Sequence, residues 1–138
     1  LIIRNHIHPS LNQQVNPVIS LTDIERMRSL VDQIYMDEKI ENYIVSLIFA
    51  TRNPSEHGIN DLANFISFGA SPRGSINLAM AAKAHAFLKG RAFVIPDDVQ
   101  AMASDVLKHR IGVTYEAEVA NLKPEDLIQQ IISRVEVP

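Results

Sequence analysis

The apolar positions of this chain recur with helical rather than alternating spacing. Ile24, Met27, Val31 and Ile34 follow Ser20, a residue type that caps helices, with Asp23 in the first turn and Ile19 placed to staple onto Ile24. This predicts a helix over residues 21–35. Asp37 caps a second one, in which Ile40, Tyr43, Ile44, Leu47 and Ile48 give the stripe of a core-facing helix. It must stop near Asn53-Pro54, because proline pushes the preceding residue out of helical geometry. Residues 54–70, with two glycines and the apolar patch Leu62, Phe65, Ile66 and Phe68, read as a loop. Ser71-Pro72 then has the form of an N-cap followed by proline at the first helical position.

The third helix runs to about Lys89 and stops at Gly90. Its alanines (79, 81, 82, 84 and 86) allow close helix approach, and Ile76, Met80, Phe87 and Leu88 fill volume, so it is expected to be the central, most buried helix. Pro96-Asp97-Asp98 opens a fourth helix with Val99, Met102, Ala103, Val106 and Leu107 inward, and Lys108-His109-Arg110 closes it in accord with the helix dipole. Pro124-Glu125-Asp126 starts a last helix carrying Leu127, Ile128, Ile131 and Ile132. The pattern leaves the form of the apolar stretches 62–68, 92–95 and 111–115 open. Five helices without a credible set of alternating strands predict an all-α helical bundle. Residues 1–19, with Pro9 and Pro17 and no clear period, read as a linker, and residues 20–138 as the domain.

Composition narrows the function classes. The 138 residues are 46% hydrophobic and 21% charged, which suits one folded domain and excludes disorder as the main state. The absence of cysteine removes disulfides, thiolate metal sites and cysteine nucleophiles together. A net charge of −3 provides no global field toward nucleic acid or acidic lipid, and no apolar run is long enough to span a bilayer. A cytoplasmic setting is expected. The chain begins at Leu1 without an initiator Met and reads as a piece of a longer polypeptide with a neighbour on its N-terminal side.

The chain carries neither the G-x-x-x-x-G-K-[ST] phosphate loop nor G-x-S-x-G or H-E-x-x-H. His6-x-His8 lacks a third ligand at metal spacing, so no metal site is expected, and His85 and His109 read as structural or solvated. The pairs Asp97-Asp98 and Glu125-Asp126 sit in first turns after proline, where dipole complementarity accounts for them better than acid–base chemistry does. Arg73 is different. A cation in the first turn opposes the positive end of the helix dipole, and an anion there would relieve the conflict. A guanidinium beside a helix N-terminus is half of a phosphate site, although pairing with a nearby carboxylate would explain Arg73 equally well.

Four blocks, taken together, resemble one family. They are Ile48-Phe49-Ala50-Thr51-Arg52; Gly69-Ala70-Ser71-Pro72-Arg73-Gly74-Ser75; Gly90-Arg91-Ala92-Phe93-Val94-Ile95-Pro96-Asp97-Asp98-Val99; and Val106-Leu107-Lys108-His109-Arg110-Ile111. In this order they are similar to the C-terminal helical lid of MoxR-type AAA+ ATPases, relatives of the magnesium-chelatase ATPase subunit, over roughly residues 17–115. The resemblance implies an AAA+ lid that closes over ATP and Mg²⁺, both held mainly by a separate core domain. It makes Arg73 the sensor-2 residue, acting on its own subunit's nucleotide or on a neighbour's, with Ser71 and Pro72 beside it at the nucleotide. It also implies partners: the core domain, neighbouring protomers of a hexameric ring, and von Willebrand A domain proteins. The work implied is chaperone-like remodelling or metal-cofactor insertion. The fragment alone is expected to hydrolyse no ATP.

Two positions depart from the family pattern. Ile95 stands where a capping Thr or Ser is usual, and the 54–68 loop with Phe65 and Phe68 is particular to this chain. Residues 116–138 resemble the family less sharply. The alternative from another class is a helical interaction module that never contacts nucleotide and docks through Phe65, Ile66 and Phe68. A helix-turn-helix DNA binder over residues 72–110 is disfavoured by the negative net charge and by the alanine-rich candidate recognition helix.

Overall fold

The structure, a computed structural model, describes residues 16–138. The His6-x-His8 pair and most of the expected linker lie outside the described residues. Among the described residues six α-helices follow one another: α1 (Leu21–Asp32), α2 (Glu38–Arg52), α3 (Arg73–Leu88), α4 (Pro96–Leu107), α5 (Tyr115–Val119) and α6 (Pro124–Arg134). Between α2 and α3 lie two 3-10 turns, Pro54–His57 and Asn60–Leu62, and strand β1 (Ile66–Phe68); strand β2 (Gly112–Val113) precedes α5. The fold is an all-α bundle with one small two-stranded sheet.

α2 is the helix the core is built around. Seven of its residues are buried, Ile40, Tyr43, Ile44, Leu47, Ile48, Ala50 and Thr51. It packs against α3 and α6, while the most extensive helix pair is α3 with α4. The expectation that the third helix would be the most buried is thus corrected. α3 turns a thin stripe inward, Gly74, Leu78, Ala82 and Ala86, and leaves Ile76, Met80 and Leu88 mostly exposed. The spacing of four between the small residues explains this, because only one narrow face of α3 can approach its neighbours closely.

α1 begins as expected. The Ser20 hydroxyl accepts from the Asp23 amide at 3.1 Å, and the Asp23 carboxylate accepts the Ser20 amide at 2.9 Å. It ends at Asp32 rather than 35, because the chain turns at Gln33, sends Ile34 into the core and pairs Tyr35 with Phe93 in a parallel bridge. No residue of α1 is buried, and Ile19 and Ile24 both stay exposed.

The remaining apolar stretches take definite forms. β1 and β2 pair antiparallel, Ile66 with Val113 and Phe68 with Gly112, so Ser67 is the extra residue of a bulge. Gly112 lets the Phe68 ring lie against the strand, since a Cβ would stand 2.2 Å from a ring carbon and the exposed ring would have to move aside. Phe65 and Ile66 pack partly against the core, so of the expected docking patch only Phe68 is left exposed. The segment 115–119, which the apolar pattern did not predict as helix, forms one turn capped by Thr114. No helix among the described residues is long and apolar enough to cross a membrane.

Candidate functional site

The end of α2 and the start of α3 form one platform. Thr51 is buried; its hydroxyl donates to the Ile48 carbonyl at 2.6 Å and accepts the Ala70 amide at 3.0 Å. Gly69 lies so close to the last turn of α2 that a Cβ would stand 2.3 Å from the Thr51 carbonyl oxygen. Glycine is therefore demanded by proximity, with nothing flexible able to yield. Arg52 reaches back to the Ala70 carbonyl at 3.5 Å. The Ala-Thr-Arg and Gly-Ala-Ser-Pro-Arg segments, eighteen positions apart between Arg52 and Ala70, are in this way a single structural unit.

Ser71, Pro72 and Arg73 stand together on that platform, all exposed. Their local chemistry differs from the expectation in one respect. Pro72 already has helical torsions, φ −54° and ψ −27°, and no side chain caps this end of α3. Instead the Ser71 carbonyl accepts the Gly74 amide at 2.7 Å, and the Pro72 carbonyl accepts both the Ser75 amide and hydroxyl, at 3.1 and 2.6 Å. Ser71 thus contributes its carbonyl rather than its hydroxyl. The Gly74 and Ser75 amides are occupied and Pro72 has none, so this end offers an anion little of a bare helix N-terminus beyond the Arg73 amide. The guanidinium of Arg73 is the main donor.

Among the described residues the ion pairs are His85–Asp98, Arg91–Asp98, Lys108–Asp105 and Arg134–Asp61, and Arg73 takes part in none of them. The carboxylate partner that would have explained it blandly is not supplied by these neighbours. Val45, Ile48, Phe49, Arg52, Pro72 and Ser75 line a mostly apolar groove of about 290 Å³ on the same platform. Its charged member is Arg52, and a guanidinium on the rim of an apolar groove suits a ligand with an anionic end and a flat apolar part. Arg52 was visible in the sequence only as a member of the Ala-Thr-Arg block. No group of three or more His, Asp or Glu able to hold a metal ion occurs among the described residues.

Asp98 departs from its expected role. The first-turn dipole reading holds for Asp97, which is exposed, but the Asp98 carboxylate is wholly buried at the junction of α3 and α4. Its Oδ1 meets His85 Nδ1 at 2.7 Å and Arg91 Nη2 at 2.5 Å; its Oδ2 accepts from Arg91 Nη1 at 2.7 Å and from the Ile95 amide at 2.9 Å. Burial alone would raise its pKa, but the Arg91 guanidinium, the Ile95 amide and His85 outweigh burial and hold it down at about 2. The sequence carries no spacing rule for such a cluster, since its members come from α3, the following connection and α4.

A family profile described as the AAA lid domain matches residues 61–131. The chain belongs to that family of helical lid domains. Within it the chain is of the MoxR type. It is 35% identical to Chaperone MoxR1 of Mycobacterium tuberculosis over 125 residues, which is 91% of this chain and 33% of that protein. It is 31% identical over 145 residues to Protein MoxR of Methylorubrum extorquens, covering 98% of this chain and 41% of the relative. A crystal structure of a candidate ATPase from Cytophaga hutchinsonii superposes with a TM-score of 0.89 at 36% identity, over 99% of this chain and 42% of that one. The chain therefore spans about a third to two-fifths of the length of these relatives.

Proposed function

We propose that this domain, residues 20–138, is a lid that closes over ATP held mainly by a separate ATPase core, residues 1–19 being the linker to that core. Arg73 is the sensor-2 residue, and Ser71 and Pro72 stand beside it at the nucleotide. The observation that supports this reading is a guanidinium with no ion-pair partner among the described residues, mounted on a rigid two-segment platform. Phosphoryl transfer depends on positioning and charge stabilisation, so a fixed cation brought to the γ-phosphate by lid closure acts on turnover directly. Loss of that phosphate releases Arg73 and lets the lid pivot against its neighbours. No group of three or more His, Asp or Glu that could hold a metal ion occurs among the described residues, and Mg²⁺ is assigned to the core.

At the level of the assembly, the partners are the core domain and neighbouring protomers of a hexameric ring in the cytoplasm. The output is chaperone-like remodelling or metal-cofactor insertion with von Willebrand A domain proteins. The name of the Mycobacterium tuberculosis relative, Chaperone MoxR1, supports the chaperone-like part.

Discrimination between ATP and ADP tests the reading at the site itself. In the full-length protein, Arg73→Ala is expected to cut the ATP-over-ADP affinity ratio, measured by calorimetry, while leaving ADP binding unchanged. An unaltered ratio would remove Arg73 from the γ-phosphate.

A further inference from the structure

α1 is held to the bundle without burying a residue, and Leu21, Ile24 and Leu30 stay exposed. Met27 and Val31 are half-buried, and hydrogen bonds add to that contact. Lys83 on α3 donates to the Asp32 carbonyl in the last turn of α1 at 3.2 Å. Just beyond, the Tyr35 amide donates to the Ala92 carbonyl at 2.9 Å, and the Tyr35 carbonyl accepts the Val94 amide at 3.0 Å.

The 92–94 segment that receives Tyr35 is itself tied down by one side chain. Arg91 Nη1 donates to the Phe93 carbonyl at 3.1 Å as well as to Asp98, and its fork holds both oxygens of that buried carboxylate. His85 brings α3 to the same carboxylate, and Asp98 itself belongs to α4. Each oxygen of Asp98 has two partners, so the charge has no reason to shift, and a fully satisfied buried network of this kind is stiff. One carboxylate therefore joins α3, the 92–94 segment and α4, and α1 hangs from the same segment. Arg73 opens α3, and His85 lies three turns further along it.

We propose that the Arg91–Asp98–His85 cluster is a strut that fixes α1 to α3, so that movement of the chain entering through α1 is passed to the helix that carries Arg73. Arg91, Asp98 and His85 are positioning residues, since none of them needs to meet the nucleotide. The functional half of the proposal rests on the reading of Arg73 as sensor; the mechanical half does not.

Hydrogen exchange in the full-length protein tests both halves. Arg91→Lys keeps a charge beside the buried carboxylate but loses the fork and the Phe93 contact. It is expected to speed exchange at the Tyr35 and Val94 amides at least tenfold, with the Ile44 and Leu47 amides of α2 unchanged. Unchanged rates at Tyr35 and Val94, or equal acceleration at all four, would overturn the strut. His85→Leu cuts only the α3 arm and serves if Arg91→Lys does not fold. In the wild type, replacing ADP by ATP is expected to slow exchange in α1, and His85→Leu should reduce that response at least threefold with ATP affinity unchanged. A response retained in full, or absent from the wild type, would overturn the transmission. Should Arg73→Ala leave the ATP-over-ADP ratio unaltered, the sensor reading has failed, while the rates at Tyr35 and Val94 still decide whether the strut exists.

Discussion

Thr51 shows how much one hydroxyl can hold. Replacing it by valine keeps the shape but leaves the buried Ala70 amide without its partner. A buried donor left unsatisfied costs about 1–3 kcal/mol, so Thr51→Val is expected to lower stability by that amount in chemical denaturation. Gly69→Ala should be worse than a normal glycine-to-alanine change, because the new methyl meets backbone rather than a movable side chain. Asp98 makes the fold sensitive to acid. Its folded pKa of about 2 lies below the ordinary 3.8, so its contribution is fully present above about pH 4 and is lost as pH falls through about 2. The size is up to about 2 kcal/mol, and Asp98→Asn should remove that segment of the pH–stability curve while lowering stability near neutrality. A curve that keeps the same acid slope in Asp98→Asn would contradict the assignment.

At the scale of elements, three helices begin with the same device. Asp23, Asp98 and Asp126 each accept the backbone amide three residues earlier, at Ser20, Ile95 and Lys123. Only Ser20 returns the bond with its own side chain. Ile95, the departure from the family pattern, therefore loses half of the arrangement, and α4 starts in spite of it because Asp98 is anchored from three sides. Ile95→Thr is expected to stabilise the domain by about 0.5–1 kcal/mol in thermal denaturation, since the backbone already has the extended torsions of a cap. The helices α2, α4 and α6 were legible in the sequence because their stripes are wide and their caps are typical. α3 was legible as a helix but not in its burial, since an alanine-rich helix has no strong face to read. The pairing of Tyr35 with Phe93 and of β1 with β2 was not legible, because segments of two or three residues owe their form to distant partners.

For the molecule as a whole, three of the four blocks that carried the family resemblance prove to be two physical units. The first two meet at Thr51, Gly69 and Ala70 and mount Arg73; the third folds on itself around Asp98. Arg73 could be singled out from sequence because a cation conflicts with a helix start, whereas Arg91 and His85 raise no local conflict and emerge only in three dimensions. The chain alone is expected to fold cooperatively and to show no ATP turnover above background; robust hydrolysis by the isolated domain would contradict its reading as a lid.

The most direct measurement is steady-state ATP turnover of the full-length protein, wild type against Arg73→Ala, at saturating ATP. A fall of tenfold or more, corresponding to about 1.4 kcal/mol or more of lost transition-state stabilisation, is expected, with ATP still bound. Turnover and affinity both equal to the wild type would make Arg73 a structural helix-start residue and contradict the sensor.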